Sequence, residues 1–452
     1  MLRLHDTATG AKTPIAGLDT GHVGLYVCGP TVYGRPHIGH GRHALVYDIL
    51  RRYLESTHVE VKHVSNVTDI DDKIINLARA EGRDSKAVAV EYEAAWWDAM
   101  DGLGVARPKV VPHATEYVDQ MLEMIADLVS RGVAYETSDG VYLEVARVDG
   151  YGLLAQQSLD SLRSGTRLAV NDEKRSPVDF ALWKKAKAGE PTWEAPFGAG
   201  RPGWHTECVV MALELLGDGF SLHGGGIDLK FPHHENERAQ AVALGRDFAR
   251  HWTHNGMVMQ GGEKMSKSLG NVIDLTSLVE RYDPRAYRLV VLQAHYRAPI
   301  EVTTGGLEAA ERTLRGIDAM GRRLAEAPSL VPAAGAGEEV IAAFRGFMDD
   351  DLATPQAMAV LFDALKAANS AFDRGDGASG LAIGRAVFAC FDAVGMTPAG
   401  ARAVEEDALE LARLRDGARA SRDWAAADRL RDEIVALGYS VEDTAGGTRV
   451  YR

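Results

Sequence analysis

Residues 23–64 read as strand, glycine-bearing turn, helix and strand, and that order leaves few folds open. Val23-Gly24-Leu25-Tyr26-Val27 has the apolar density of a short buried strand, and Cys28-Gly29-Pro30-Thr31 ends it in a turn. Pro36 then opens a helix, where a missing N–H costs nothing. Leu45, Ile49 and Tyr53, with Val46, Leu50 and Leu54, recur at i,i+4 and give that helix one apolar face. A second strand follows at 59–64. Such a unit predicts a parallel sheet, because two parallel neighbours need a crossover. His37, Gly39 and His40 stand at the start of the crossover helix. Backbone N–H groups and the positive helix end converge there, which suits phosphate.

The rest of the chain is consistent with several domains. It has 452 residues, 46% of them hydrophobic and 25% charged, an ordinary globular balance. No run of about 18 apolar residues predicts a membrane span, and the first residues lack an apolar signal core, so a cytoplasmic protein with no membrane partner is expected. Cys28, Cys208 and Cys390 are too few for a disulfide framework and read as free thiols or metal ligands. The net charge of −14 counts against a generally basic, nucleic-acid-binding surface, though a local basic groove can exist on an acidic protein.

Along the chain, residues 1–115 are expected to form the first half of a nucleotide-binding domain. Residues 116–200, with a strand-like stretch at 140–145 and loops such as Ala188-Gly189-Glu190-Pro191, break the rhythm and read as an insertion. The second half resumes over 201–300, with a helix starting at Pro232. Residues 301–400 turn helical. Residues 401–452 read as two helices and a hairpin whose strands, 440–442 and 448–451, meet through Gly446-Gly447. The fold class is therefore α/β: a doubly wound parallel-sheet catalytic domain of Rossmann type with an insertion, then an α-helical bundle and a small α+β module.

Cys28 lies where the first strand ends, and such strand ends line the ligand crevice of a doubly wound sheet. Cys208 follows Gly203-Trp204-His205-Thr206-Glu207, and His233 and Glu237 are spaced i,i+4. Sulfur, imidazole and carboxylate together suit zinc. On spacing alone His234 serves as well as His233, and two unrelated buried thiols would account for the cysteines. The second string, Lys264-Met265-Ser266-Lys267-Ser268, sits between Gly261-Gly262 and Gly270, a loop able to close over a nucleotide. Alone it reads equally as a solvated basic turn.

Together, His37-Ile38-Gly39-His40 and the lysine string resemble the two signatures of class I aminoacyl-tRNA synthetases. The strings Val27-Cys28-Gly29-Pro30-Thr31, Pro202-Gly203-Trp204-His205-Thr206-Glu207-Cys208 and Phe231-Pro232-His233-His234-Glu235-Asn236-Glu237 narrow the resemblance to the cysteinyl-tRNA synthetase family, along the length of the chain. The resemblance implies one Zn2+ held by Cys28, Cys208, His233 and Glu237, leaving His234 out, with the substrate thiolate joining the metal. It implies ATP as substrate with Mg2+, L-cysteine, and tRNA-Cys. His37, His40, Lys264 and Lys267 carry the catalytic roles. ATP would be bound by His37, Gly39, His40, Gly225 and Lys267. Thr68, Trp204 and Asp228 would line the amino-acid pocket, although a packed Trp204 and a helix-capping Asp228 explain those residues equally well. Metal selection fits the chemistry, since pocket shape separates near-isosteric thiol and hydroxyl by only about 1–3 kcal/mol, whereas a thiol near pKa 8.5 ionises readily.

In the C-terminal stretch, Arg419, Trp424, Asp428 and Asp443 resemble the family's anticodon-reading residues, which supply stacking and edge hydrogen bonds. An amphipathic helix with Trp424 in its core would explain the same segment. A monomer is expected. Three other readings compete: the related cysteine ligase of mycothiol biosynthesis, which lacks the anticodon module, an inactive tRNA-binding paralogue, and an unrelated doubly wound enzyme.

Overall fold

The computed structural model describes residues 1–165, 173–260, 263–264, 273–326, 331–398, 406–444 and 447–451. The chain divides into two compact units, Met1–Glu308 with Arg345–Met358, and Ala309–Phe344 with Ala359–Arg452.

The elements that carry the site belong to the first unit: strands β1 (His22–Val27), β2 (Glu60–Ser65), β3 (Leu222–Gly226) and β4 (Trp252–Asn255), and helices α1 (Ile38–Ser56), α2 (Asp72–Glu81), α3 (Ser85–Gly102), α4 (Trp204–Leu216), α5 (Glu235–Ala243) and α6 (Pro284–Leu292). The four strands are all parallel in the order β4-β3-β1-β2. The order reverses between β1 and β3, and that switch point is where doubly wound sheets open a crevice. Val23, Leu25, Tyr26 and Val27 are all buried, as expected of a strand covered on both faces. Residues 134–202 build a separate antiparallel sheet, Ala134–Glu136, Gly140–Leu143, Phe180–Lys185 and Gly200–Pro202, between β2 and β3 in the chain.

β3 is glycine-rich because its neighbours reach its backbone. A Cβ at Gly224 would lie 2.3 Å from the Tyr47 ring, and one at Gly225 would lie 2.4 Å from the His234 ring. The Tyr47 hydroxyl accepts the Gly225 N–H at 2.6 Å and reaches the carbonyls of Gly225 and Thr253 at 2.9 and 3.0 Å. One phenol thus joins α1 to two strands. Tyr47→Phe should cost about 1–3 kcal/mol, the usual cost of orphaning a buried backbone donor. Urea unfolding at constant m-value measures it.

α1 begins at Ile38 with His37 as its N-cap, so Pro36 stands ahead of the helix rather than in its first turn. The imidazoles supply the cap that the expected proline start would not. The segment around Pro232 is also not yet α-helix: a wide turn over Lys230–His234 precedes α5, with a non-helical Phe231 inside it.

Buried arginines fix α1. Arg42 donates to the carbonyls of Met257, Tyr296 and Ala298 at 2.7, 3.1 and 2.5 Å. Asp48 accepts from Arg288 on α6 at 2.5 Å, from Arg52 at 2.8 Å and from the Ala106 N–H at 2.9 Å. No helix among the described residues is long and apolar enough to cross a membrane.

In the second unit, helices Glu406–Ala420 and Trp424–Ala436 pack with the hairpin Ser440–Thr444 and Gly447–Tyr451 around Ala408, Ala412, Ile434, Tyr439 and Val450.

Candidate metal and nucleotide site

The turn after β1, the first half of α4 and the wide turn entering α5 place four donors together. The Sγ of Cys28 and Cys208, a ring nitrogen of His233 and an oxygen of Glu237 all lie within 4.8 Å of one another and are buried. The two sulfurs are 3.7 Å apart, Cys208 Sγ is 3.7 Å from His233 Nε2, and Cys28 Sγ is 3.5 Å from Glu237 Oε1. Sulfurs about 2.3 Å from a tetrahedral zinc stand roughly 3.7 Å apart. The donor set therefore fits that ion in type and spacing, except that His233 and Glu237, 2.7 Å apart, are still joined as an ion pair. A second set, Cys28, His223, His234 and Glu237, shares two of the residues within the same limit.

The charges are those of a ligand cage. Burial pushes the Cys28 thiol up, while its hydrogen bond to Cys208 helps draw the Cys208 thiol down to about 6 against burial. Burial opposes a charge on His233, yet the adjoining Glu237 carboxylate raises it to about 10.

Around these donors stands a network of imidazoles, of which spacing flagged only His234. His223 Nε2 meets Glu237 Oε2 at 2.5 Å, on the side away from His233, and fixes the carboxylate's rotation. His234 Nε2 is 3.4 Å from Cys28 Sγ, and its other nitrogen meets His254 at 2.9 Å; His254 in turn meets the Thr7 hydroxyl at 2.7 Å. His205 meets His233 Nδ1 at 2.9 Å. Such partners orient ligand side chains. The signal available in the sequence was the repeated histidine in Trp204-His205-Thr206-Glu207-Cys208 and in Pro232-His233-His234.

Next to the cluster, Trp204 stacks on His233 with ring centres 4.0 Å apart, and it is partly exposed rather than packed in a core. Thr68 is buried, donates to Glu207 at 2.9 Å and accepts from Asn66 at 3.2 Å. Asn66 also accepts the Gly29 N–H at 3.0 Å, and a Cβ on Gly29 would lie 1.7 Å from the Asn66 carbonyl oxygen. Only glycine allows that approach beside Cys28. Asn66 and Glu207 had no sequence signature. Asp228 is exposed in the turn after β3, and the helical segments that follow are capped by Leu229 and His234, so it caps neither.

At the start of α1, His37 Nδ1 accepts the Gly39 N–H at 3.1 Å and His40 Nδ1 accepts the His37 N–H at 3.2 Å, with the two rings stacked at 3.7 Å. With Nδ1 accepting, each neutral ring carries its proton on Nε2, an assignment made from partners. In the lysine string, Lys264 lies in the short strand Glu263–Lys264, opposite Met259. Lys267 and the rest of 265–272 lie outside the described residues. Directly after them, Ile38 N–H donates to the Ile273 carbonyl and Leu275 N–H to the Pro36 carbonyl, at 3.1 and 3.0 Å. The segment that follows the string is hydrogen-bonded to the segment that carries the histidines.

In the second unit Trp424 opens its helix and is 60% exposed, so the reading that buries it in a core is overturned. Arg419 and Asp443 pair with each other, Asp443 also binds Arg415 at 2.5 Å, and Asp428 sits 3.3 Å from Arg431.

The model for the catalytic domain of class I tRNA synthetases (C) matches residues 14–312, and the DALR domain model matches residues 343–394. The cysteine–tRNA ligase of Moorella thermoacetica is 42% identical over 99% of this chain and 99% of its own, and that of a Thermus thermophilus strain is 42% identical over 99% and 98%. Among solved structures, methionyl-tRNA synthetase of Mycobacterium tuberculosis with methionyl-adenylate superposes with a TM-score of 0.65 at 16% identity, covering 90% of this chain and 96% of that one, a likeness of fold.

Proposed function

We propose that this chain, which belongs to the cysteine–tRNA ligase family of class I tRNA synthetases, activates L-cysteine with ATP and transfers it to the 3′-terminal adenosine of tRNA-Cys. The observation that carries this reading is the buried four-donor cluster at the sheet's switch point, on the sheet that also leads into the histidine string, with the segment after residue 272 hydrogen-bonded to that helix start. A zinc ion held by Cys28, Cys208, His233 and Glu237 would bind the substrate sulfur as a thiolate and so distinguish it from a serine hydroxyl. Trp204 and Thr68 flank that pocket, and the carboxylate of Asp228 is the candidate partner for the substrate ammonium.

In the first step a cysteine carboxylate oxygen attacks the α-phosphorus of magnesium-bound ATP. The bond to the bridging oxygen breaks, and pyrophosphate leaves with its electron pair. Such transfer needs alignment and charge stabilisation. The Nε2–H groups of His37 and His40 are the donors for phosphate oxygens, Gly39 and Gly225 give close backbone approach to the nucleotide, and Lys264 and Lys267 supply cations toward the leaving group. In the second step the adenosine hydroxyl attacks the carbonyl and AMP departs. Arg419, Trp424, Asp428 and Asp443 are the candidate anticodon contacts, and the exposure of the Trp424 indole supports a stacking role for it. We assign the working unit as a monomer, checked by light scattering.

Cysteine-dependent ATP–pyrophosphate exchange, followed by transfer of labelled cysteine to total tRNA, tests the reading. Exchange with transfer is expected. Exchange without transfer would redirect the acceptor to an amino-sugar, and no exchange by metal-loaded protein would overturn the enzyme assignment. In the same assay Lys267→Ala should slow exchange about a hundredfold, the usual cost of one such electrostatic contact, while cysteine still binds.

A further inference from the structure

The carboxylate of Glu237 lies between two imidazoles. Its Oε1 is 2.7 Å from His233 Nε2, and its Oε2 is 2.5 Å from His223 Nε2. The four-donor cluster uses only the His233 edge. On the other edge, Cys28, His223, His234 and Glu237 again offer four donor atoms within 4.8 Å of one another, all buried. Cys28, Cys208, His223, His233, His234 and Glu237 thus form two overlapping sets that share Cys28 and Glu237.

The second set is supported as metal ligands are. His234 Nε2 stands 3.4 Å from Cys28 Sγ, close to the roughly 3.6 Å between nitrogen and sulfur on one tetrahedral zinc. Its Nδ1 is held by His254 at 2.9 Å, and His254 by the Thr7 hydroxyl at 2.7 Å. Such outer partners fix a metal-binding imidazole and leave its other nitrogen for the ion. His223 is fully buried and its Nδ1 has no hydrogen-bond partner, so the Glu237 carboxylate is its one hydrogen bond. A phenyl ring would fill that space without leaving a nitrogen unmet, so the imidazole is there for its nitrogen chemistry at Glu237. His223 and Glu237 must part to admit an ion, as His233 and Glu237 must on the opposite edge.

The donor types select the ion. Two imidazoles, a thiolate and a carboxylate suit a first-row divalent metal such as zinc, whereas magnesium and calcium take oxygen donors. We propose that Cys28, His223, His234 and Glu237 form a second, weaker position for such an ion, so that the cluster becomes dinuclear when metal is in excess. The Cys28 sulfur and the Glu237 carboxylate bridge the two ions, and each ion then has four protein donors. The position borrows two donors from the four-donor site and so rests on that reading. It is the weaker of the two because the dications repel across the shared donors.

The test adds Co2+ to the full chain carrying one zinc, at pH 7.5, and follows the thiolate-to-cobalt absorption together with the zinc and cobalt content. Saturable binding of one cobalt with the zinc retained is expected. His223→Phe and His234→Leu each remove a donor nitrogen and should weaken cobalt binding at least about tenfold with the zinc still in place, since even outer partners of metal ligands are worth about 10–100-fold. If neither variant folds, the wild type loaded with two cobalt ions decides: bridged ions couple magnetically, so the EPR signal of the first should fall as the second binds. Cobalt that replaces zinc one for one, cobalt without the sulfur absorption, equal binding by the wild type and both variants, or additive EPR signals overturns the proposal. A zinc-loaded protein that takes no cobalt strikes this proposal alone, whereas a chain that holds no zinc strikes the four-donor reading with it.

Discussion

Cys208→Ser protein is expected to be purified without its bound metal and to lose roughly 10³–10⁴-fold in kcat/KM for cysteine in pyrophosphate exchange. Sites built to grip one polar group of the substrate discriminate by about 10⁴–10⁵ against analogues lacking it, and loss of the metal that grips the sulfur is expected to cost somewhat less than that. A hydroxyl resists ionisation, so one of the two sulfurs 3.7 Å apart becomes a poor ligand, and His233 loses its contact with Cys208. The fold should survive, because Cys208 lies in a helix whose buried neighbours Val209, Met211 and Ala212 are unaltered. Elemental analysis for zinc and calorimetric titration with cysteine separate the causes. Full zinc with normal cysteine affinity in the variant would refute the four-donor assignment.

His63 should make the first unit sensitive to acid. Burial, aided by Arg51 and opposed by Asp48, lowers its pKa from 6.5 to about 3 in the folded chain, with His43 on the neighbouring helix acting in the lowering direction. The unfolded chain takes up the proton near pH 6.5 and the folded chain does not. The contribution to stability is therefore complete above pH 6.5 and is lost as pH falls toward 3. At about 1.4 kcal/mol per unit the full loss is about 5 kcal/mol, of which about 2 appears by pH 5. Urea unfolding of wild type and His63→Phe at pH 7.5 and 5 reads the difference, since the variant lacks this one titration and keeps the other buried histidines. Equal losses in both proteins would mean that His63 is protonated without penalty.

The parallel-sheet core was legible because its signals are local and agree. The apolar run at 23–27, the i,i+4 face of α1 and the turn residues between them all point to one unit, and the strands stand at His22–Val27 and Glu60–Ser65. Strand ends and helix faces brought Cys28, Cys208, Glu237 and either His233 or His234 forward as donors, and the family resemblance chose His233. The rest of the imidazole shell gave no such signal. His223, His205 and His254 act through pairings between strands and turns that no periodicity announces, and of the shell only His234 stood out by its spacing. The helix starts near Pro36 and Pro232 were misjudged for a similar reason: at the first, the His37 side chain that captures a free N–H sets the boundary, and at the second the non-helical Phe231 holds the turn open until Glu235. Asn66 and Glu207 matter only once Gly29 and Thr68 have been brought against them.

Cys28 and Glu237 are 209 residues apart along the chain and 3.5 Å apart in space. A ribosome making this protein therefore releases its first thiol long before the carboxylate and imidazole that complete the cluster exist. The sheet can pair β1 with β2 early, but the switch point cannot form until β3 has emerged and come to lie against β1. Capture of a metal by this cluster would thus come late in biogenesis, and any chain truncated before residue 237 would lack the carboxylate of the four-donor set.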